Sequence, residues 1–166
     1  MSQSNKEKTL QYLDDNKIRY EVMEHNPVFT VEDMDKEGIS AKGGVCKNLF
    51  LRDAKGKKHY LVVAPEEKRI NLSELPSMIG STKLSFASAE RLMKYLGVEQ
   101  GSVSPLGVLN DENHEVILVF DQELSTSQRM GIHPNDNTAT VWMSFKDLKK
   151  LISKLGNTIL FAKFDK

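Results

Sequence analysis

Apolar residues along this chain change spacing several times, and each change marks a boundary between elements. Ser4 can cap a helix whose stripe is Leu10 and Leu13 and whose terminator is Asn16, which predicts a first helix ending near residue 15. Ile18, Tyr20 and Val22 then alternate with polar residues, the period of a strand. Thr30 with Asp33 three positions on has the spacing of a capping box and predicts a short helix over 31–36. Beyond the break at Gly43-Gly44, two apolar-rich runs, 48–52 and 59–64, flank Asp53-Ala54-Lys55-Gly56-Lys57-Lys58, and this predicts a hairpin. Next come a helix over 71–79, a short strand over 84–87, and a helix capped by Ser88 that closes near Gly97. After a loop over 101–110, strands are expected over 115–120 and 138–143, an amphipathic helix from the Ser144 cap to about residue 155, and a last strand over 158–164.

Strands that arrive both through a hairpin and through helices predict an α/β (α+β) fold: a mixed, largely antiparallel central sheet flanked by helices, rather than a doubly wound parallel one. With 166 residues, 39% of them hydrophobic, the chain fills one core, so a single domain over 1–166 is expected. Lysine plus arginine and aspartate plus glutamate balance at 23 each. Unselective attraction to nucleic acid is therefore excluded, and any RNA contact has to come from a local patch. Lys55, Lys57 and Lys58 at the hairpin tip form one, although a lysine-rich turn is more often only solvated. The single cysteine, Cys46, excludes an internal disulfide and fits a reducing compartment. The polar stretch over 1–10 and the lack of any run near the roughly 20 apolar residues of a membrane span make the cytoplasm the expected location, with no membrane association.

Lys47 opens an apolar strand, Leu49-Phe50-Leu51. A lysine there either snorkels to the surface, the commoner case, or presents a charge to a pocket, where it can stabilise a developing oxyanion. Asn48 alternates to the opposite face and shares such a pocket only at a strand end or bulge. A second feature is Gly101-Ser102-Val103-Ser104-Pro105-Leu106-Gly107, whose backbone amides can be aimed at a ligand, or which is an ordinary turn. It is no nucleophile elbow, because G-x-S-x-G is absent. The third is 131–138, where His133, Asn135, Asn137 and Thr138 precede a strand, and His133 serves either as a proton shuttle or as a solvated turn residue. His25, His59, His114 and His133 show no close pairing, and no phosphate-binding glycine motif occurs, so neither a metal nor a cofactor is expected. Cys46 with His133 is a conceivable thiol hydrolase pair.

Taken together, Lys47-Asn48-Leu49-Phe50-Leu51, the Gly101 to Gly107 loop, His133-Pro134 with Asn137-Thr138, and the upstream His25-Asn26-Pro27-Val28-Phe29-Thr30-Val31 resemble the superfamily of YbaK and the prolyl-tRNA synthetase editing domain. The similarity runs over nearly the whole chain and is greatest to the free-standing PrdX branch that acts on alanyl-tRNA(Pro). What the resemblance implies is a metal-independent hydrolase without a covalent nucleophile, cleaving the ester of a mischarged tRNA(Pro), most of all alanyl-tRNA(Pro), in trans to the synthetase. By the same resemblance Lys47, Asn48 and His133 are the catalytic set. Thr30, Phe50, Gly101, Ser102, Val103, Ser104, Pro105, Asn137 and Thr138 are the substrate-binding set, with Phe29, Val31, Phe50 and Leu106 as walls of a small pocket. The implied partners are the aminoacylated end of tRNA and prolyl-tRNA synthetase. One departure is Met34, where relatives commonly carry a smaller residue, which bears on substrate choice. The competing readings are a tRNA-binding or regulatory module of the same fold that has lost turnover, and the Cys46-dependent hydrolase.

Overall fold

The computed structural model describes residues 4–165, with the side chain of Val31 outside the described part. Its centre is the predicted hairpin, β2 (Cys46–Arg52) and β3 (His59–Pro65), paired antiparallel with Lys47 opposite Ala64. Residues 59–64 of β3 are buried on both faces, as a continuous apolar run requires. Leu61 and Val63 join one core, and Tyr60, Val62 and Ala64 the other. β5 (Val116–Asp121) pairs parallel with β3, β8 (Ile159–Ala162) parallel with β5, and the two-residue β4 (Ser85–Phe86) antiparallel with the other edge of β2. The larger sheet thus runs β4-β2-β3-β5-β8.

A smaller antiparallel sheet, β1-β7-β6, is built from β1 (Glu21–Glu24), β7 (Ala139–Met143) and β6 (Met130–Ile132). The expected mixed α/β class holds, and antiparallel pairings predominate over the two sheets together. Beside the expected central sheet stands a second, smaller one that the spacing did not separate. Ile18 and Tyr20, expected in a strand, pack against the larger core from the stretch that precedes β1. β6 was not expected at all: three residues containing Gly131 carry too little local signal, and their pairing partners lie far away or in the following strand.

Helices follow the predicted caps. α1 (Asn5–Asp15) starts at Ser4, α2 (Val31–Lys36) at Thr30, α4 (Ala89–Leu96) at Ser88 and α5 (Phe145–Leu155) at Ser144, each cap oxygen accepting from a backbone N–H inside its helix. Around α2 the capping box is complete, with Asp33 Oδ2 accepting from the N–H groups of Phe29 at 3.0 Å and Thr30 at 3.3 Å. Only α3 (Leu75–Ile79) begins late, because Asn71 Oδ1 accepts from the Ser73 N–H and hydroxyl and holds the chain in a turn. Leu13 of α1, Leu92 and Leu96 of α4 and four residues of α5 join Phe50 and Phe120 in the larger core, which also takes the inner face of the small sheet. Leu75 of α3 sits in the second core on the opposite face of the larger sheet. No described helix is long and apolar enough to cross a membrane.

The two sheets meet at one seam. Val45 and Gly131 form a parallel bridge, and the Gly131 N–H donates to the Gly44 carbonyl at 2.7 Å. Gly44 has φ +71°, and a Cβ there would stand 2.4 Å from the Arg129 carbonyl oxygen, so the approach needs glycine. Because the bridge is parallel, Lys47 and His133 each lie two residues beyond it in the same direction.

Candidate active site

A cavity of about 390 Å³ opens beside that seam. Its floor is β2 from Cys46 to Phe50, and one wall is Val28, Phe29, Thr30 and Met34. Phe86, Ala87, Ala89 and Leu92 close the opposite side, and Gln100, Gly101, Val103, His133 and Glu66 complete it. Phe29 and Phe86 at its edge are 70% and 62% exposed.

Alternation along β2 sorts the floor. Cys46 and Phe50 belong to the larger core, Leu51 with Leu49 to the second, so Asn48 shares the face of Cys46 and Phe50. Lys47 borders the cavity, but its ammonium donates to the carbonyl of Lys68 beyond β3. Burial lowers its pKa, against the opposing charge of Glu67. Lys68 itself is buried, with Nζ 2.9 Å from the Phe164 carbonyl, 3.2 Å from Asp121 and 3.5 Å from Glu123.

His133 has one ring nitrogen committed. Nδ1 stands 2.9 Å from the Ala139 carbonyl, which only accepts, so Nδ1 carries the proton and Nε2 is left as an acceptor. Burial holds the imidazole below its ordinary pKa, partly offset by that hydrogen bond, and the His25 ring 6.4 Å away also disfavours the cation. The ring is therefore neutral near pH 7.

The remaining predicted residues divide into two groups. Thr30, Phe50, Gly101 and Val103 line the cavity. Gly101 has φ +96°, and a Cβ on it would meet the Phe29 ring at 2.9 Å, so the loop lies flat under that ring only as glycine. Ser102, Ser104, Pro105, Asn137 and Thr138 lie outside the cavity lining, and so does Leu106, expected in its wall. Ser104 and Pro105 are buried, the Ser104 hydroxyl accepting from the Leu106 N–H at 3.1 Å to start a short 3-10 turn, Pro105–Asn110. Asn137 Nδ2 donates to the Val28 carbonyl at 3.2 Å, and the Thr138 carbonyl accepts from the His25 N–H at 2.9 Å. These residues fasten the 25–28 stretch to the loop that carries His133. Val31, the other expected wall residue, has its side chain outside the described part.

Cys46 borders the cavity but is 8% exposed, and burial pushes its thiol up to about 12, helped by the charges of Glu67 and Glu66. Such a thiol carries almost no thiolate near neutrality and is a poor nucleophile. Glu66, Phe86 and Leu92 were not anticipated. Glu66 had a legible signal: in a hairpin that sets Lys47 opposite Ala64, residue 66 falls beside the start of β2.

Fold and cavity together define a pocket-bearing α/β domain, with a small inner chamber and an exposed aromatic edge. The chain belongs to the aminoacyl-tRNA editing domain family, whose model matches residues 25–151. It is 51% identical over 158 residues to the prolyl-tRNA editing protein ProX of Acetoanaerobium sticklandii, covering 95% of this chain and 96% of the relative. With the prolyl-tRNA synthetase associated domain-containing protein 1 of Bos taurus it shares 35% over 153 residues, 90% of this chain and 89% of that one. A solved structure described as a candidate trans-editing enzyme for prolyl tRNA synthetase superposes with TM-score 0.72 at 20% identity over 99% of both chains, a likeness of fold.

Proposed function

We propose that this protein hydrolyses the ester joining a small, wrongly attached amino acid to the terminal adenosine of tRNA(Pro), with alanyl-tRNA(Pro) as the main substrate. The observation that carries the reading is one cavity bordered at once by Lys47, Asn48, Gly101 and His133, in a chain of the editing-domain family whose relatives are named for prolyl-tRNA editing. Lys47, Asn48 and His133 form the catalytic set. The Lys47 ammonium exchanges the Lys68 carbonyl for the substrate's carbonyl oxygen or terminal phosphate. Asn48 orients the ester from the cavity face of β2. His133 Nε2 accepts a hydrogen from the attacking water or from a ribose hydroxyl. A water oxygen bonds to the ester carbon, the bond to the ribose oxygen breaks, that oxygen takes up a proton, and the free amino acid departs. Charge builds on the carbonyl oxygen, where fixed donors out of water act most strongly.

Thr30, Phe50, Gly101 and Val103 meet the aminoacyl group or the adenosine, while Ser102, Ser104, Pro105, Asn137 and Thr138 hold that surface in shape. The molecule's partners are the aminoacylated acceptor end of tRNA and prolyl-tRNA synthetase, and its place is the cytoplasm. One observation favours a second reading, a tRNA-binding module without turnover: the Lys47 ammonium is already bonded to a backbone carbonyl. Deacylation of alanyl-tRNA(Pro) separates the two. Wild-type protein is expected to cleave the ester well above its spontaneous rate, Lys47→Ala to lose about 10²- to 10³-fold in kcat/KM, and Cys46→Ser to keep activity. Tight tRNA binding with an unaccelerated ester would establish the silent module, and loss of activity in Cys46→Ser would establish the thiol mechanism.

A further inference from the structure

Glu66 is an acid in the cavity without a task in the reaction above. Its backbone N–H donates to the Val45 carbonyl at 3.1 Å, next to the seam, and the residue stands between the chamber of Asn48 and His133 and a neighbouring cavity lined by Ser40. No other residue bordering that chamber, among those described, is an aspartate or glutamate. Glu66 Oε2 is shut off from solvent and has no hydrogen-bond partner, and Asn48 Oδ1 is in the same condition. The ion pairs among the described residues leave Glu66 out, and the cation that borders the chamber beside it, Lys47, is turned to the Lys68 carbonyl. Burial raises the pKa of Glu66, the nearby Ser40 hydroxyl partly offsets that, and the charges of Glu67 and Asp35 raise it further. The Ser40 hydroxyl is the one donor group beside Glu66, and it too is buried without a hydrogen bond in good geometry. Acceptor atoms shut off from water without a well-formed hydrogen bond are costly unless a ligand supplies further donors.

An aminoacyl ester supplies them. Its α-ammonium is a compact cation with three N–H donors, attached to the carbon next to the ester carbonyl. We infer that Glu66 is the seat of that ammonium, with the Asn48 amide oxygen as its second acceptor, so that the enzyme selects esters of free amino acids over N-blocked ones. The ammonium anchored there sets the distance from Glu66 to the scissile carbonyl. A misfit in that distance affects binding and turnover together. The inference rests on the deacylase reading and adds a recognition element to it.

The test compares alanyl-tRNA(Pro) with N-acetyl-alanyl-tRNA(Pro), which keeps the methyl group and the ester but lacks the cation. Wild-type enzyme is expected to prefer the free ester by about tenfold to a hundredfold in kcat/KM, the scale of one charge-assisted hydrogen bond. Glu66→Gln is expected to lose most of that preference by falling on the free ester alone, while binding of uncharged tRNA and the N-acetyl rate stay in place. Equal wild-type rates on the two esters overturn the inference without any variant. An equal fall of Glu66→Gln on both esters also overturns it, since that marks a structural or general-base role, as does an unchanged preference. A wild-type protein that accelerates neither ester refutes the deacylase reading itself, a result distinct from these.

Discussion

Met34 is the side chain on which we expect substrate size to turn. It lies on the wall of the chamber supplied by α2, packed against Val28, Ile39, Val45 and Trp142. Trimming it enlarges the chamber without touching Lys47, Asn48 or His133. Exclusion by size is steep only when the wall cannot yield. Met34→Ala is therefore expected to raise cleavage of prolyl-tRNA(Pro) relative to alanyl-tRNA(Pro) by about tenfold or more, read as the ratio of kcat/KM on the two esters. An unchanged ratio would place the size limit elsewhere in the wall. At this scale the sequence was partly legible. Lys47, by its residue chemistry alone, reads more readily as a strand-end lysine than as a site residue, and its ammonium does rest on a backbone carbonyl. Glu66 is legible only through the register of the hairpin, which sets residue 66 beside the start of β2.

Elements were the most legible level, since caps and hairpins are local. Ser4, Thr30, Ser88 and Ser144 all cap the helices expected of them, whereas β6 depends on partners outside any short window. One interaction between elements makes a pH prediction. His59 of β3 is 1% exposed, with Nε2 2.8 Å from Arg91 of α4. A guanidinium only donates, so Nε2 is an unprotonated acceptor. Burial and then the Arg91 charge lower the His59 pKa to about 4. Between that value and the ordinary imidazole value of about 6.5 the unfolded chain binds the extra proton and the folded one does not. Stability contributed here is therefore complete above the unfolded value and is lost as pH falls toward about 4. Chemical denaturation at a series of pH values is expected to show that decline for the wild type and a shallower one for His59→Gln. Identical slopes would refute the assignment.

For the molecule as a whole, balanced charge conceals an uneven surface. Arg52, Lys55, Lys57, Lys58, Lys83, Arg91 and Lys94 come from the hairpin, the approach to β4 and α4, and none takes part in the ion pairs among the described residues. Phe86 of β4 leads from that side to the chamber. If the hairpin tip touches tRNA phosphates, Lys55→Glu with Lys57→Glu weakens tRNA binding and flattens the dependence of log K on log salt by about 0.9 for each duplex phosphate that is no longer neutralised. Binding measured from low to high salt decides it, and parallel lines for variant and wild type would leave the tip merely solvated. The division into two sheets was the least legible feature, because it rests on Val45 meeting Gly131 across some eighty-five intervening residues.

That seam also determines which changes of length the site can absorb. Lys47 and His133 are counted off from a common origin, two steps along each of two strands running the same way. Residues added to the hairpin tip, to the turn before α3 or to the 3-10 turn after the Gly101 loop leave the count untouched, however far they lengthen the chain. A single residue lost between Val45 and Lys47, or between Gly131 and His133, shifts one member of the pair by a full step and turns its side chain to the other face. Insertions are thus expected to be tolerated at those turns and to be ruinous within these two spans of three residues, a contrast that an insertion scan would read directly.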